Sequence, residues 1–371
     1  MATQFKPINN NDVTRTKTLI HEAVPLTGTL VSGTYGDKPY VAIGSERNIK
    51  NYSHGMFQSV FDYPHLSSSA NHLFDVTFGY NTNSAMSGTS ARVQQEKKIN
   101  IYNQMAQVLM GHDINGGIKN FTWGPNGLEM DSCFFLNFSR LLTKDEVKKG
   151  SFEILIGTGS STTPMGIGED NKNGYVTVKR PAAAAGVDSF YTDSPAGEYA
   201  LLSGSNYKPA GLIFYQAGVA VLTSSLLQAQ SGAAGDTSGT PTTMLTGASW
   251  NTTQGGLERV HAIMTGSSIT ASCNEFRHRT KNIKFNNTTE LHSTIYYIRA
   301  HHNEFNYSAN PTYLTGSKVR VKTSTTDQPV SYITTVGMYS ADNELLAVAK
   351  LSEPLKKTPS TDLTLRVRLD Y

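Results

Sequence analysis

Cysteine is almost missing from this chain. Cys133 and Cys273 are the only two, which excludes a disulfide scaffold and a four-cysteine zinc site. Charge is also scarce: Asp, Glu, Lys and Arg supply 16% of the residues, against about a quarter in ordinary soluble domains. The net charge of +3 is too small for the basic footprint of a nucleic-acid binder. The first ten residues, Met1 to Asn10, lack the apolar segment of a secretory leader, and with reduced cysteines this fits assembly in a reducing cytoplasm. Long apolar runs are lacking too. Only Ala210 to Leu227 approaches the length of a membrane span, but Gln216 and Gly218 interrupt its centre. A hairpin of two buried strands turning at Gln216-Ala217-Gly218 fits it better, so membrane insertion is not expected.

Catalytic signatures are absent as well. The chain has no Gly-x-Ser-x-Gly elbow, phosphate loop or dinucleotide fingerprint. Gly157-Thr158-Gly159 lacks the later glycine and the helix that phosphate binding needs. Glu169-Asp-Asn-Lys-Asn-Gly174 resembles the start of a calcium loop, but Arg180 stands where the bidentate Glu belongs, so a polar turn is the better reading. His301 and His302 are adjacent, and in a strand they point to opposite faces. His278 and His292 complete no zinc-ligand spacing with them. Arg277-His278-Arg279 with Lys281 and Lys284 reads as an exposed or subunit-facing strand edge. No catalytic, cofactor-binding or metal-binding residue is assigned, and no cofactor is expected.

What is present is glycine (32 residues) with abundant Ser, Thr and Asn, the composition of strands and turns. The expected class is mainly β: a β-sandwich-like body with one long and one short α-helix, an extended N-terminal arm and a β-rich insertion. Residues 1–48 are polar and extended, with β-like patches at 29–31 and 39–43, and suit an arm that orders against a neighbouring subunit. Residues 49–111 form a connecting segment. In it His72 to Phe78 alternates as a strand, and Ala91 to Met110 reads as the long helix, with Ile101, Tyr102, Met105, Val108 and Leu109 on one face and Gly111 as its cap. The polar first half of that helix is expected in solvent or beyond the domain.

The β body takes residues 112–157 and 267–371. Ser132 to Phe138 and Phe152 to Ile156 read as strands. Between them Thr143-Lys-Asp-Glu146 matches a capping box for a short helix that ends at Gly150. Composition shifts to Gly, Ser, Thr and Ala over 158–266, which reads as a separable insertion with strands at 175–178, 199–202, 212–215 and 219–222. Strands at 269–276, 291–298 and 318–322 follow.

The most strongly patterned stretch comes last. Val330 to Gly337 alternates, Ser340-Ala-Asp-Asn343 turns, and Glu344 to Lys350 returns. Pro354 and Pro359 bracket a basic loop with Lys356 and Lys357. Leu363, Leu365, Val367 and Leu369 then alternate with Thr364, Arg366, Arg368 and Asp370, which is expected to be a buried core strand of the body.

This stretch carries a resemblance. ITTVGMYSADNELLAVAKLSEPL (333–355) is similar to a hairpin of tail and baseplate proteins of tailed bacteriophages, in which I-x-x-[IV]-G-[LMI]-Y leads through a turn to L-[LI]-A-V-A. Residues 49–56, 63–75, 134–140 and 143–150 resemble the same family, the virion structural proteins of contractile-tailed, T4-like cyanophages; 158–265 shows no such likeness. The resemblance implies a non-enzymatic structural subunit of the virion, at the baseplate or tail end. Its expected partners are other virion proteins and copies of itself, with host-surface glycan contact open and no nucleic acid expected. It would be located in the virion tail after assembly in the host cytoplasm. Alternatives are a neck or head–tail connector protein and a host-surface-binding module of the tail.

Overall fold

A computed structural model describes residues 5–26, 48–84, 87, 93–124, 129–157, 175–181, 190–204, 209–227, 268–308, 311–316, 318–319, 324 and 326–371. The arm patches at 29–31 and 39–43, the acidic turn at 169–174, all of 228–266 and the end of the expected strand at 320–322 lie outside them.

The elements, in chain order, are β1 (Val13–Pro25), β2 (Ile49–Asn51), β3 (Gln58–Phe61), β4 (His72–Tyr80), α1 (Val93–Leu109), β5 (Ser132–Phe138), α2 (Arg140–Thr143), β6 (Glu146–Val147), β7 (Glu153–Gly157), β8 (Tyr175–Lys179), β9 (Phe190–Ser194), β10 (Gly197–Ser203), β11 (Pro209–Phe214), β12 (Val219–Thr223), α3 (Ile269–Arg279), β13 (Thr280–Ala300), β14 (Leu314–Thr315), β15 (Lys318–Val319), β16 (Ser331–Tyr339), β17 (Leu345–Lys357) and β18 (Leu363–Asp370). The mainly β class holds. The chain divides into two compact units: unit 1 is Met1–Ile20 with Glu290–Tyr371, and unit 2 is His21–Thr289. Both borders fall within strands, β1 and β13, at positions that composition does not mark.

Unit 2 holds the core. Its strands follow the order β13-β7-β8-β10-β11-β12-β5-β4-β3-β2. A single residue pair, Ser203 with Lys179, joins β10 to β8. Across that joint the sheet is layered: Phe138 of β5 packs against Phe152 at 5.9 Å and against Phe285 of β13 at 5.1 Å. β5 and β12 are buried nearly throughout, as continuous apolar runs such as Cys133-Phe-Phe-Leu136 require.

The helices cover both faces of β4 and β5. Tyr102 of α1 packs edge-on against Phe121, and both meet Phe135. On the other face Phe276 of α3 stacks on Phe134, which meets Phe78. Gly79 permits the first contact, since a Cβ there would lie 2.7 Å from the Lys98 carbonyl oxygen and 2.8 Å from the Tyr102 nitrogen. Gly111, at φ +77°, ends α1 in the expected left-handed cap.

Several expectations are corrected. Residues 269–276 are not a strand but the start of α3. Ser268 caps it by accepting from the Ala271 N–H, and Ile269, Cys273 and Phe276 recur at helical spacing on its buried side. The first half of α1 is not wholly in solvent, because Gln95 and Lys98 are buried. The capping box at 143–146 does not operate. The short helix comes earlier, at Arg140–Thr143, Lys144 leaves it at φ +54°, and Glu146–Val147 is a strand bound to Asn287 and Thr288 of β13. The described strands of 158–266 form no sheet of their own: β8 pairs with β7 and β12 with β5, so they fill the middle of unit 2. The hairpin within 210–227 is as expected, with Gly211 to Phe214 paired to Leu222 to Val219. Among the described residues no helix is long and apolar enough to cross a membrane.

Candidate assembly surface

Unit 1 is built from long strands with almost no apolar interior. Among its described residues the only buried hydrophobic one is Ala300. Its other buried residues are polar: Ser293, Thr294, Ser331, Lys357 and Thr358. β18 pairs with β13 without a break from Leu363↔Ala300 to Asp370↔Ser293, so the expected terminal strand is present. Its apolar face is only half-buried, however, and Leu363, Leu365, Val367 and Leu369 do not form a core. The reason is topological: among the described residues β18 has one strand neighbour, and the core helices lie in unit 2.

Polar contacts do the fastening. Ser293 donates to Asp370 (2.5 Å), and Arg368 donates to both Asp370 (2.7 Å) and Ser293 (3.1 Å). These bonds, Ser293 first, hold the Asp370 carboxyl below its ordinary range. Lys6 meets Glu304 at 2.5 Å and lowers its pKa, helped by the His301 N–H. Asp12 pairs with Arg299 and Lys17 with Glu290. So residues 5–20 of the expected arm are fastened to their own chain. Such pairs, still open to solvent on one side, contribute little.

The firmest fastening is Lys357. Its ammonium is fully buried and donates to the His302 carbonyl (3.2 Å), Asn306 Oδ1 (2.9 Å) and the Thr358 carbonyl (2.9 Å). The expected basic loop is therefore corrected: Lys356 and Lys357 belong to β17, and Pro354 lies within that strand. The sequence signal was alternation, since Ala347, Ala349, Leu351, Leu355 and Lys357 all fall on its less exposed side.

β16 and β17 form a ribbon joined to no other strand among the described residues. The expected turn is there, with Asn343 at φ +62° and the Ser340 N–H donating to the Glu344 carbonyl. Tyr332, Tyr339, Leu345, Leu346 and Val348 are 42–62% exposed. Phe5 packs edge-on against Tyr339 at 5.0 Å. A lone two-stranded ribbon is marginal in water, and exposed apolar strands mark sites of pairing.

Among the described residues, those weighed for chemistry do not come together. His301 and His302 are exposed; His302 lies 3.8 Å from Asp362. His292 stacks on Tyr371 and lies 3.6 Å from Glu290. Arg277 is no exposed strand edge: it is fully buried in α3 and donates to Asn274. Lys284 pairs with Glu153. Among the described residues no group of three His, Cys, Asp or Glu has metal-binding geometry. Burial pushes both cysteine thiols up, Cys133 well above its ordinary value, which makes them poor nucleophiles. In unit 2, Ser59 donates to Asp75 (2.5 Å), which also binds His72 (2.8 Å). The carboxylate lies between the other two, so His72 is not placed to take the Ser59 proton. No family model, curated protein or solved structure matches this chain.

Proposed function

We propose that this chain is a non-enzymatic structural subunit of a tailed-bacteriophage virion, a baseplate or tail-end component that joins neighbouring subunits. The observation that carries the reading is unit 1, whose long strands bury one small apolar residue and leave large ones in solvent. Strands of that kind gain their stability by meeting other strands. The resemblance of 333–355, within this unit, to phage tail hairpins supplies the context. The partners are then other virion proteins and copies of the chain, met in the host cytoplasm during assembly.

A second reading, a module that grips host-surface glycans, draws on one group in unit 2. Tyr52, His54 and Phe57 lie within 5.2 Å of one another, Lys50 sits over the Tyr52 ring, and Tyr63 nearby in sequence is 58% exposed. Immunogold labelling of purified particles with antibody to this chain tests both readings. Label at the baseplate is the expected result. Label at the neck selects the connector alternative, and particles without label refute a virion role. Binding of the isolated chain to a glycan array, abolished by Tyr52→Ala, supports the second reading.

A further inference from the structure

The two edges of the β16–β17 ribbon differ. β17 carries every irregularity. Ile333 pairs with Leu355 but Thr335 with Lys350, and Met338 pairs with Ala347 but Tyr339 with Leu345, so the extra residues at both shifts lie in β17. It also exposes Lys350, Glu353, Pro354 and Lys356. Bulges, proline and charge are the devices that keep an edge strand from pairing.

β16 has none of them. Ser331–Tyr339 contains no charged residue and no proline, and Ile333, Thr334, Thr335 and Val336 make a β-branched run. Among the described residues no strand but β17 and no further backbone hydrogen bond reaches it. A neutral, unbroken strand with a bare edge is a template for another strand.

We propose that β16 pairs through this edge with β16 of a second copy of the chain, antiparallel about a two-fold axis, giving the four-strand order β17-β16-β16-β17. This rests on the assembly reading above and names the partner. Charge selects a second copy. An axis through Thr335 sets Tyr332 opposite Met338 and Thr334 opposite Val336; an axis through Val336 sets Thr335 opposite Gly337. Neither brings like charges together. A charged partner strand would find no counter-charge on β16. The contact is isologous, so it closes at two copies instead of growing into a fibre.

The test uses the full chain, whose two native cysteines are both buried. Thr335→Cys, Val336→Cys and the control Ser352→Cys are oxidised mildly at low concentration and run on non-reducing gels. The expected result is an inter-chain dimer for Thr335→Cys or Val336→Cys and none for Ser352→Cys. Sedimentation equilibrium then compares the parent with Thr335→Glu. That carboxylate faces the chain's own Lys350 across the ribbon but repels the second copy's, directly opposite about the Thr335 axis and diagonal about the Val336 axis, so dimerisation should weaken about two- to fivefold. A monomeric parent, equal cross-linking at Ser352→Cys, or dimerisation unchanged in Thr335→Glu overturns the pairing. A monomeric chain that still labels the baseplate removes this pairing and keeps the virion reading. A dimer absent from particles does the reverse.

Discussion

Lys98 shows what burial does to one residue. Its side chain is fully buried, with the ammonium 5.7 Å from the Phe78 ring centre and 5.9 Å from that of Tyr80. Burial pushes its pKa down from 10.5 to about 8, with the nearby Cys273 opposing. Between those values the unfolded chain holds a proton that the folded chain has released, so rising pH favours the fold by about 1.4 kcal/mol per unit. Below pH 8 both states are charged and the fold carries a cost on the order of 3 kcal/mol. Lys98→Met is expected to be more stable than the parent at pH 7. Its advantage should shrink between pH 8 and 10.5. Urea melts of both proteins across that range check this, and the difference cancels the titration of Cys133 and Cys273. A gap that does not vary with pH would contradict a buried ammonium. Lys98 lies in a polar run, Gln94 to Lys98, which reads as solvated because a single sequence shows which residues are polar and not which side of a helix meets a sheet. Gly79, which admits α1, is the missing half of that information.

At the scale of the element, apolar residues lined up along a strand have two outcomes. β11 and β18 both carry aliphatic residues that share a face, yet Leu212 is fully buried and Leu365 only half-buried. β11 lies between β10 and β12 in the middle of a sheet, while β18 has one neighbour. Leu212→Asp should therefore abolish cooperative folding, because it buries a carboxylate without a partner. Leu365→Asp should leave the main thermal transition, that of unit 2, where the parent has it. Circular dichroism melts of the two variants check this, and a parent-like melt for Leu212→Asp would show that the insertion strands are dispensable. Strand positions were largely legible in the sequence, including β5, β11 and β12. The α3 helix was missed although Ile269, Cys273 and Phe276 already carried its period, because β-branched Ile269 and Thr270 and the surrounding strands favour the wrong reading. The assembly surface was legible as a hairpin, and its exposure was not.

For the whole molecule, the contrast is between a unit with a layered aromatic core and one held by strand pairing and polar contacts. Local opening follows apolar burial, so unit 1 should open most easily in the free chain. Hydrogen exchange should be fast across β16, β17 and β18, slow in β5 and β12, and strongly slowed in β16 once copies associate. Equal protection of both units in a dilute monomer would refute this. The sequence by itself determined the class, the turns and most strands, because alternation, Asn-rich turns and glycine caps act over a few residues. Tertiary structure decided which apolar faces are core. It put the strands of 158–266 at the centre of unit 2, turned Lys357 inward and left the alternating carboxyl-terminal strands half-bare. Burial is settled by the neighbours that long-range pairing brings, and a periodic pattern states only that a strand has two faces, not what lies against them.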